Sequence, residues 1–224
     1  LHWSEFSAGD TREMTMMPKG GKKKNGSAKA CACIMPPVEG AARAHVKSMK
    51  EYREMHEAAL ADPAKFWGDR AKKLLTWNKP WSETLSWSFD KDPHVRWFSG
   101  GKINASANCL DRHLKGSRRN KVALIWQGDP EDDVRIWTYQ MLYDRVCRCA
   151  SALKNIGVRK GDRVVLYLPM IPELAVAMLA CSRIGAVHVV VFAGFSVSSV
   201  QSRIHDCEAK VVITADGLFR AGRV

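Results

Sequence analysis

Three short runs, Val164–Leu168, Val187–Phe192 and Val211–Thr214, are apolar at nearly every position and rich in β-branched residues. Such runs suit strands buried on both faces, the habit of parallel sheets under crossover helices. Two segments of helical period separate them. In the first, Leu174, Ala177, Met178 and Cys181 recur at spacings of three and four. Pro172 and Glu173 suit its first turn, and Gly185 suits a left-handed stop. In the second, Ser196 is a capping residue and the helix is expected to run to about Glu208. The pattern predicts a βαβαβ unit with right-handed crossovers, which puts all three strand ends on one rim. Ligands of open α/β sheets bind beyond that rim, where Pro169–Pro172, Ala193–Ser196 and Asp216–Arg223 stand.

Upstream, Gly40–Ala61 reads as a helix with Val46, Met49, Met55, Ala59 and Leu60 roughly on one side. Asp62-Pro63 separates it from a second helical piece over Pro63–Leu75. Trp77, Trp81, Trp87 and Trp97 follow closely. An aromatic-rich extension wrapped on the main domain is preferred here to a base-stacking surface. His94–Phe98 reads as a strand, Gly100-Gly101 as the turn after it, and Asn104 as the cap of a helix ending near Leu114. Asp111, Arg112 and His113 lie inside that helix and look catalytic at first glance. Successive helical side chains turn by ~100°, however, so the three fan over ~200° and do not converge on one substrate. Structural ion pairing is the expectation. Lys121–Gln127 and Val134–Trp137 read as a hairpin around Gly128-Asp129-Pro130. Thr138 then caps a helix with Leu142, Val146, Cys149, Ala150 and Leu153 on one face, and Gly157 ends it.

Composition narrows the class. The chain has 224 residues, 46% hydrophobic, with eight Trp, which is ample for a packed core. The formal net charge of +12 is uneven: five lysines and no acidic residue lie between Met14 and Val38, and without them the balance is +7. Residues 1–39 therefore read as a basic, solvated, disordered tail rich in Gly, Lys and Pro. A cleaved organelle-targeting peptide and translated sequence upstream of a start at Met14, Met16 or Met17 are alternatives. A nucleic-acid-binding tail is disfavoured. Seven cysteines form no CxxC pair, so core thiols in a reducing compartment are preferred to a zinc site. No apolar run approaches the ~20 residues of a membrane span.

The sequence holds no HExxH, GxxxxGK[ST] or GxGxxG motif and no Ser/His/Asp grammar. The remaining chemistry is anion binding at the sheet rim. Ala193-Gly194 follows a strand and precedes a helix N-terminus, where a small side chain permits close backbone approach and the dipole favours negative charge. Arg220 and Arg223 flank Ala221-Gly222 beyond the next strand, placed to clamp one phosphate. Spacing alone equally allows two solvated loop arginines.

The segments NCLDRHL (108–114), WTYQML (137–142), YLPMIPELAVAMLACSRIGAVHVVVFAGFS (167–196) and RAGR (220–223) closely resemble the acetyl-CoA synthetases of the adenylate-forming ligase superfamily. Phe66-Trp67 and WNKPW (77–81) resemble that family's N-terminal extension. The resemblance covers roughly residues 40–224. It implies activation of acetate by Mg-ATP to acetyl-adenylate and pyrophosphate, then transfer of the acyl group to CoA. It further implies that Phe192, Ala193, Gly194, Arg220, Ala221, Gly222 and Arg223 contact the 3′-phosphate-bearing adenosine end of CoA, although some members carry Gly in place of Ala193. The family's phosphate loop, acyl pocket, Mg2+ ligands and catalytic lysine have no counterpart in this sequence, so no catalytic residue and no metal ligand is assigned.

The expected fold is thus α/β: a tail over 1–39, a helical and irregular extension over 40–100, and the incomplete start of the large AMP-binding (adenylation) domain over 101–224. The opening on Leu1 and the stop soon after a buried-type strand lead to the expectation of a longer polypeptide, with this piece inactive alone. Acetate, ATP and CoA are the expected substrates, and the rest of the polypeptide the expected partner. No nucleic acid or membrane partner is expected, and the expected location is cytoplasmic. A propionate or other short-chain acyl-CoA ligase and a non-catalytic CoA- or nucleotide-binding module are the alternatives.

Overall fold

The computed structural model describes residues 40, 43–217 and 219. The tail expected over 1–39 and the RAGR run at 220–223 lie outside the described residues. The chain divides into two units, Leu1–Met49 and Lys50–Val224. Gly40 and Arg43 are helical, residues 44–48 are irregular, and α1 (Met49–Ala61) follows, so the helix expected over Gly40–Ala61 is broken and not continuous. The reason is in the sequence: Ser48 with Glu51 three residues on is the signature of a helix start.

Asp62 caps α2 (Pro63–Leu74), its carboxylate accepting from the Lys65 N–H at 2.9 Å, with Pro63 in the first turn. An antiparallel hairpin follows, β1 (Glu83–Ser88) and β2 (His94–Ser99), with Leu85 opposite Trp97 and Trp87 opposite Val95. The aromatic reading of this stretch did not anticipate β1. Its signal is the alternation of Thr84, Ser86 and Ser88 with Leu85 and Trp87, a period of two. At the root of the hairpin the rings of Trp77, Trp81 and Phe98 lie 4.7–5.4 Å apart. The Trp77 indole donates to the Ala71 carbonyl and the Trp81 indole to Thr84 Oγ1. With their polar edges satisfied, these rings form a satellite core. Trp87 and Trp97 remain exposed.

Asn104 accepts from the Ala107 N–H as expected of a cap, at 3.0 Å. The helix then widens into a π-helical turn, Ala107–Asp111, in which the Arg112 N–H reaches the Ala107 carbonyl, before one α turn, α3 (Arg112–Leu114). The side chains of this segment tie the chain after α2 to the segment around Ser182 and Arg183. Asn108 exchanges two hydrogen bonds with the Thr76 backbone, at 2.8 and 2.9 Å. Asn104 donates to the carbonyls of Ser182 and Arg183, each at 3.1 Å. The Asp111-Arg112-His113 triplet disperses, as the helical fan required. Asp111 forms a two-pronged pair with Arg183 at 2.7 and 2.8 Å, Arg112 donates to the Leu74 carbonyl, and the His113 ring packs on Tyr139.

A second antiparallel hairpin, β3 (Val122–Gln127) and β4 (Val134–Thr138), leads into α4 (Tyr139–Asn155), which Thr138 caps through the Met141 N–H. The βαβαβ unit is β5 (Arg163–Tyr167), α5 (Pro172–Ile184), β6 (Val187–Val190), α6 (Val197–Asp206) and β7 (Val211–Thr214). Both pairings are parallel and the order is β6-β5-β7, so the first strand is the central one. Val164, Val165 and Leu166 on β5 are fully buried, each contributing about 1.5–3 kcal/mol over its exposed state. Leu142, Val146, Ala150 and Leu153 of α4 share a core with Leu174, Ala177, Ala180 and Cys181 of α5. Because α5 packs on both the sheet and α4, its buried stripe also takes in Val176, while Met178 is only half-buried.

Two expected boundaries shift. The strand expected over Val187–Phe192 stops at Val190, because Phe192 opens a turn closed by the Phe195 N–H on its own carbonyl at 3.0 Å. The helix expected to reach Glu208 stops at Asp206. Gly185 does end α5, at φ 78°, with Lys160 Cγ 3.0 Å from where a Cβ would stand. Replacing Gly185 with Ala is expected to cost about 1 kcal/mol, read as a lowered urea midpoint, since the left-handed backbone strains any residue with a Cβ.

Candidate binding site at the sheet rim

Beyond the carboxyl ends of β5, β6 and β7 lies a cleft of about 680 Å³. Leu168–Ile171, Phe192–Gly194 and Ala215–Gly217 form its sheet side, with Phe219 beside them. The opposite wall is the turn of the β3–β4 hairpin, including Gly128–Pro130 and Asp133. The hairpin is fastened to the rim beside its turn, where Trp126 pairs with Arg135. Trp126 Nε1 donates to the Met170 carbonyl at 2.6 Å, and the Arg135 guanidinium stacks over the Trp126 ring at 4.8 Å. Arg135 also reaches Glu173 at 3.5 Å and Asp133 at 3.9 Å.

The turn over Phe192–Phe195 is shaped by small residues and two rings. A Cβ on Gly194 would stand 2.7 Å from Phe192 Cε1, so only glycine lets that ring fold over the turn. Phe192 and Phe195 meet edge to face at 5.9 Å, and Arg203 stacks on Phe195 at 4.6 Å. Ser196 caps α6 immediately afterwards, accepting from the Ser199 N–H at 3.4 Å. The N-terminal end of α6 therefore starts one residue beyond the turn.

Phe192, Ala193 and Gly194 thus stand together on the cleft, while Arg220, Ala221, Gly222 and Arg223 lie outside the described residues. The described lining carries three carboxylates, on Asp129, Asp133 and Asp216, against one guanidinium, on Arg135. Among these lining residues there is no Ser, His, Cys or Lys. The hairpin wall escaped the sequence reading. Trp126 and Arg135 were legible as strand residues, but their cross-strand pairing and docking on Met170 are long-range facts.

Other titratable groups serve the frame. The Arg183 guanidinium beside Asp111 holds its carboxyl below the usual range, and the Lys210 ammonium does the same for Asp162. Burial pushes the Cys181 thiol up to about 11 and also raises Cys149, as suits inert core thiols. The described cysteines, Cys109, Cys147, Cys149, Cys181 and Cys207, are unpaired. Among the described residues no three His, Cys, Asp or Glu side chains are grouped to hold a metal ion, and no helix is long and apolar enough to cross a membrane. A second cleft, of about 430 Å³, is lined by Lys154, Arg159, Lys160 and Arg183. Lys154 and Arg183 sit in the last turns of α4 and α5, where the helix dipole itself favours positive charge.

An open parallel α/β sheet with a cleft at its carboxyl rim is the arrangement of the doubly wound class, in which ligands bind at that rim. The sequence matches the family described as "AMP-binding enzyme" over residues 110–223, and "Acetyl-coenzyme A synthetase N-terminus" over residues 52–109. The chain belongs to the AMP-binding enzyme family. It is 55% identical over 172 residues to acetyl-coenzyme A synthetase of Syntrophus aciditrophicus, covering 77% of this chain and 26% of that protein. Against the Leptospira biflexa acetyl-coenzyme A synthetase it is 50% identical over 190 residues, covering 85% and 29%. The protein of that name from Methanothrix thermoacetophila is 48% identical over 177 residues, covering 79% and 26%. The chain spans about a quarter of the length of the curated relatives it matches.

Proposed function

We propose that this chain is the N-terminal part of an acetate–CoA ligase, which converts acetate, ATP and CoA to acetyl-CoA, AMP and pyrophosphate through an acetyl-adenylate. The observation that carries the reading is the order of the two family matches along one chain, together with about half-identity to acetyl-coenzyme A synthetases over most of its length. On this reading residues 40–100 are the extension and residues 101–224 begin the adenylation domain. Acetate and ATP are taken up by segments outside this sequence, as is the Mg2+ that neutralises the triphosphate. The part played here is to hold CoA. The Phe192–Gly194 turn offers backbone and an aromatic face to the adenosine end, and Arg220 and Arg223 meet the 3′-phosphate. The positive end of α6 beside the turn favours the same charge. A cytoplasmic location accords with the unpaired thiols.

The test is product analysis with the complete polypeptide. Acetate, ATP and CoA are expected to yield AMP and pyrophosphate, with acetate-dependent ATP–pyrophosphate exchange in the absence of CoA. Formation of ADP and phosphate, or exchange that absolutely requires CoA, overturns the reading. Equal or better turnover of propionate reassigns the acyl group, because one methylene is worth only ~1–3 kcal/mol in such a pocket.

A further inference from the structure

We propose that Tyr167 is a positioning residue for coenzyme binding: its hydroxyl fixes the Phe192–Phe195 turn in the shape that receives the ligand. This rests on the CoA reading above. Tyr167 is the last residue of β5, the central strand, paired in register with Thr214 of β7. From that anchored position its hydroxyl donates to the Ala193 carbonyl at 3.0 Å and lies 3.3 Å from the Phe195 carbonyl. One side chain from the most buried strand therefore reaches two carbonyls of the turn that follows β6.

Apart from Arg203 on the Phe195 ring, the turn has little else to hold it. β6 ends at Val190, and the last ladder-like bond is from the Val191 N–H to the Leu166 carbonyl at 2.9 Å. Past that point Phe192 and Phe195 are 58% and 41% exposed, so neither ring is seated in the core. Gly194 adds backbone freedom and no packing. The internal bond from the Phe195 N–H to the Phe192 carbonyl closes the turn but does not fix its tilt on the sheet. The Tyr167 hydroxyl does, by donating to the Ala193 carbonyl, with the Phe195 carbonyl beside it, from the end of the central strand. A turn held in this way meets the ligand with its ordering entropy already lost, which raises affinity without a contact to the ligand. It also fixes where α6 begins, since Ser196 caps that helix directly after the turn.

The experiment replaces Tyr167 with Phe in the complete ligase, which keeps the ring and removes only the hydroxyl. The KM for CoA is expected to rise roughly three- to tenfold, as for the loss of a neutral hydrogen bond. The split between KM for CoA and acetate-dependent ATP–pyrophosphate exchange, which uses no CoA, is the deciding readout. Exchange that falls in step with thioester formation would mark Tyr167 as a support of the whole fold, and the proposal fails. Arg220→Ala is the companion variant. If it weakens CoA while Tyr167→Phe leaves the CoA KM unmoved, the positioning role is wrong and the CoA reading stands. If neither variant moves it, the CoA reading itself is wrong and Tyr167 loses its ligand with it.

Discussion

Alanine at Arg220 or Arg223 in the complete enzyme is expected to weaken apparent CoA affinity roughly 10- to 100-fold, because hydrogen bonds to charged groups are worth ~1.5–3 kcal/mol each. The charge of the rim makes the expectation sharper. The described lining holds three carboxylates and a single guanidinium, and that guanidinium is already engaged by Asp133 and Glu173. An anion arriving at this edge meets net negative charge unless the run after Phe219 supplies the cations. Dephospho-CoA is the control: wild type and variants should use it about equally poorly. Acetate-dependent ATP–pyrophosphate exchange should stay close to wild type in both variants. Variants that still prefer CoA over dephospho-CoA as strongly as wild type would show that the arginines do not meet the 3′-phosphate.

Arg183→Met is expected to lower stability by about 2 kcal/mol, read as a fall in urea midpoint at neutral pH. Arg183 bonds Asp111 through both guanidinium arms, stacks on Tyr143 at 4.8 Å and approaches the buried Ser106 hydroxyl at 3.4 Å. Removing it leaves the Asp111 carboxylate without its cation. Asp111 is 37% exposed, so water recovers part of the loss and the figure stays below that for a fully buried pair. The pH dependence has a definite sign. The folded carboxyl titrates below its unfolded value, so its contribution is present above the ordinary carboxylate range and is lost as pH falls through the folded value. Asp111→Asn should therefore lose about 1 kcal/mol at pH 7, the weaker of the two changes because the amide still accepts from Arg183. It should also show a shallower decline between pH 5 and pH 3 on the order expected for one such group. An acid limb identical to wild type would contradict the assignment.

The elements set by local chemistry were legible in the sequence. Thr138, Ser196 and Gly185 mark their helix ends in the structure as their residue types foretold. The three apolar runs are the three parallel strands. What escaped was set by partners distant in sequence or by competition between local signals. β1 carries only two large apolar positions in alternation, Leu85 and Trp87, and its pairing with β2 is what makes it a strand. The π-helical turn at Ala107–Asp111 has no periodic signature, and the hairpin wall of the cleft depends on Trp126 meeting Met170. Tyr167 read only as a member of the Val164–Leu168 run, because the Ala193 and Phe195 carbonyls that its hydroxyl meets lie far along the chain.

The order β6-β5-β7 also suits an assembly that starts from the centre. The strand at the centre is the first of the three to leave the ribosome, and it has no sheet to join until a full helix and a second strand have followed. From then on, each newcomer docks onto an edge that already exists, and neither β6 nor β7 depends on the other for its ladder. Growth from the middle outward keeps each loop closure to the length of one crossover, which limits the entropic delay in forming the sheet. It also concentrates the risk. A lesion in β5 disables both ladders at once, whereas one in β6 or β7 leaves a two-stranded nucleus on which the rest can still be built.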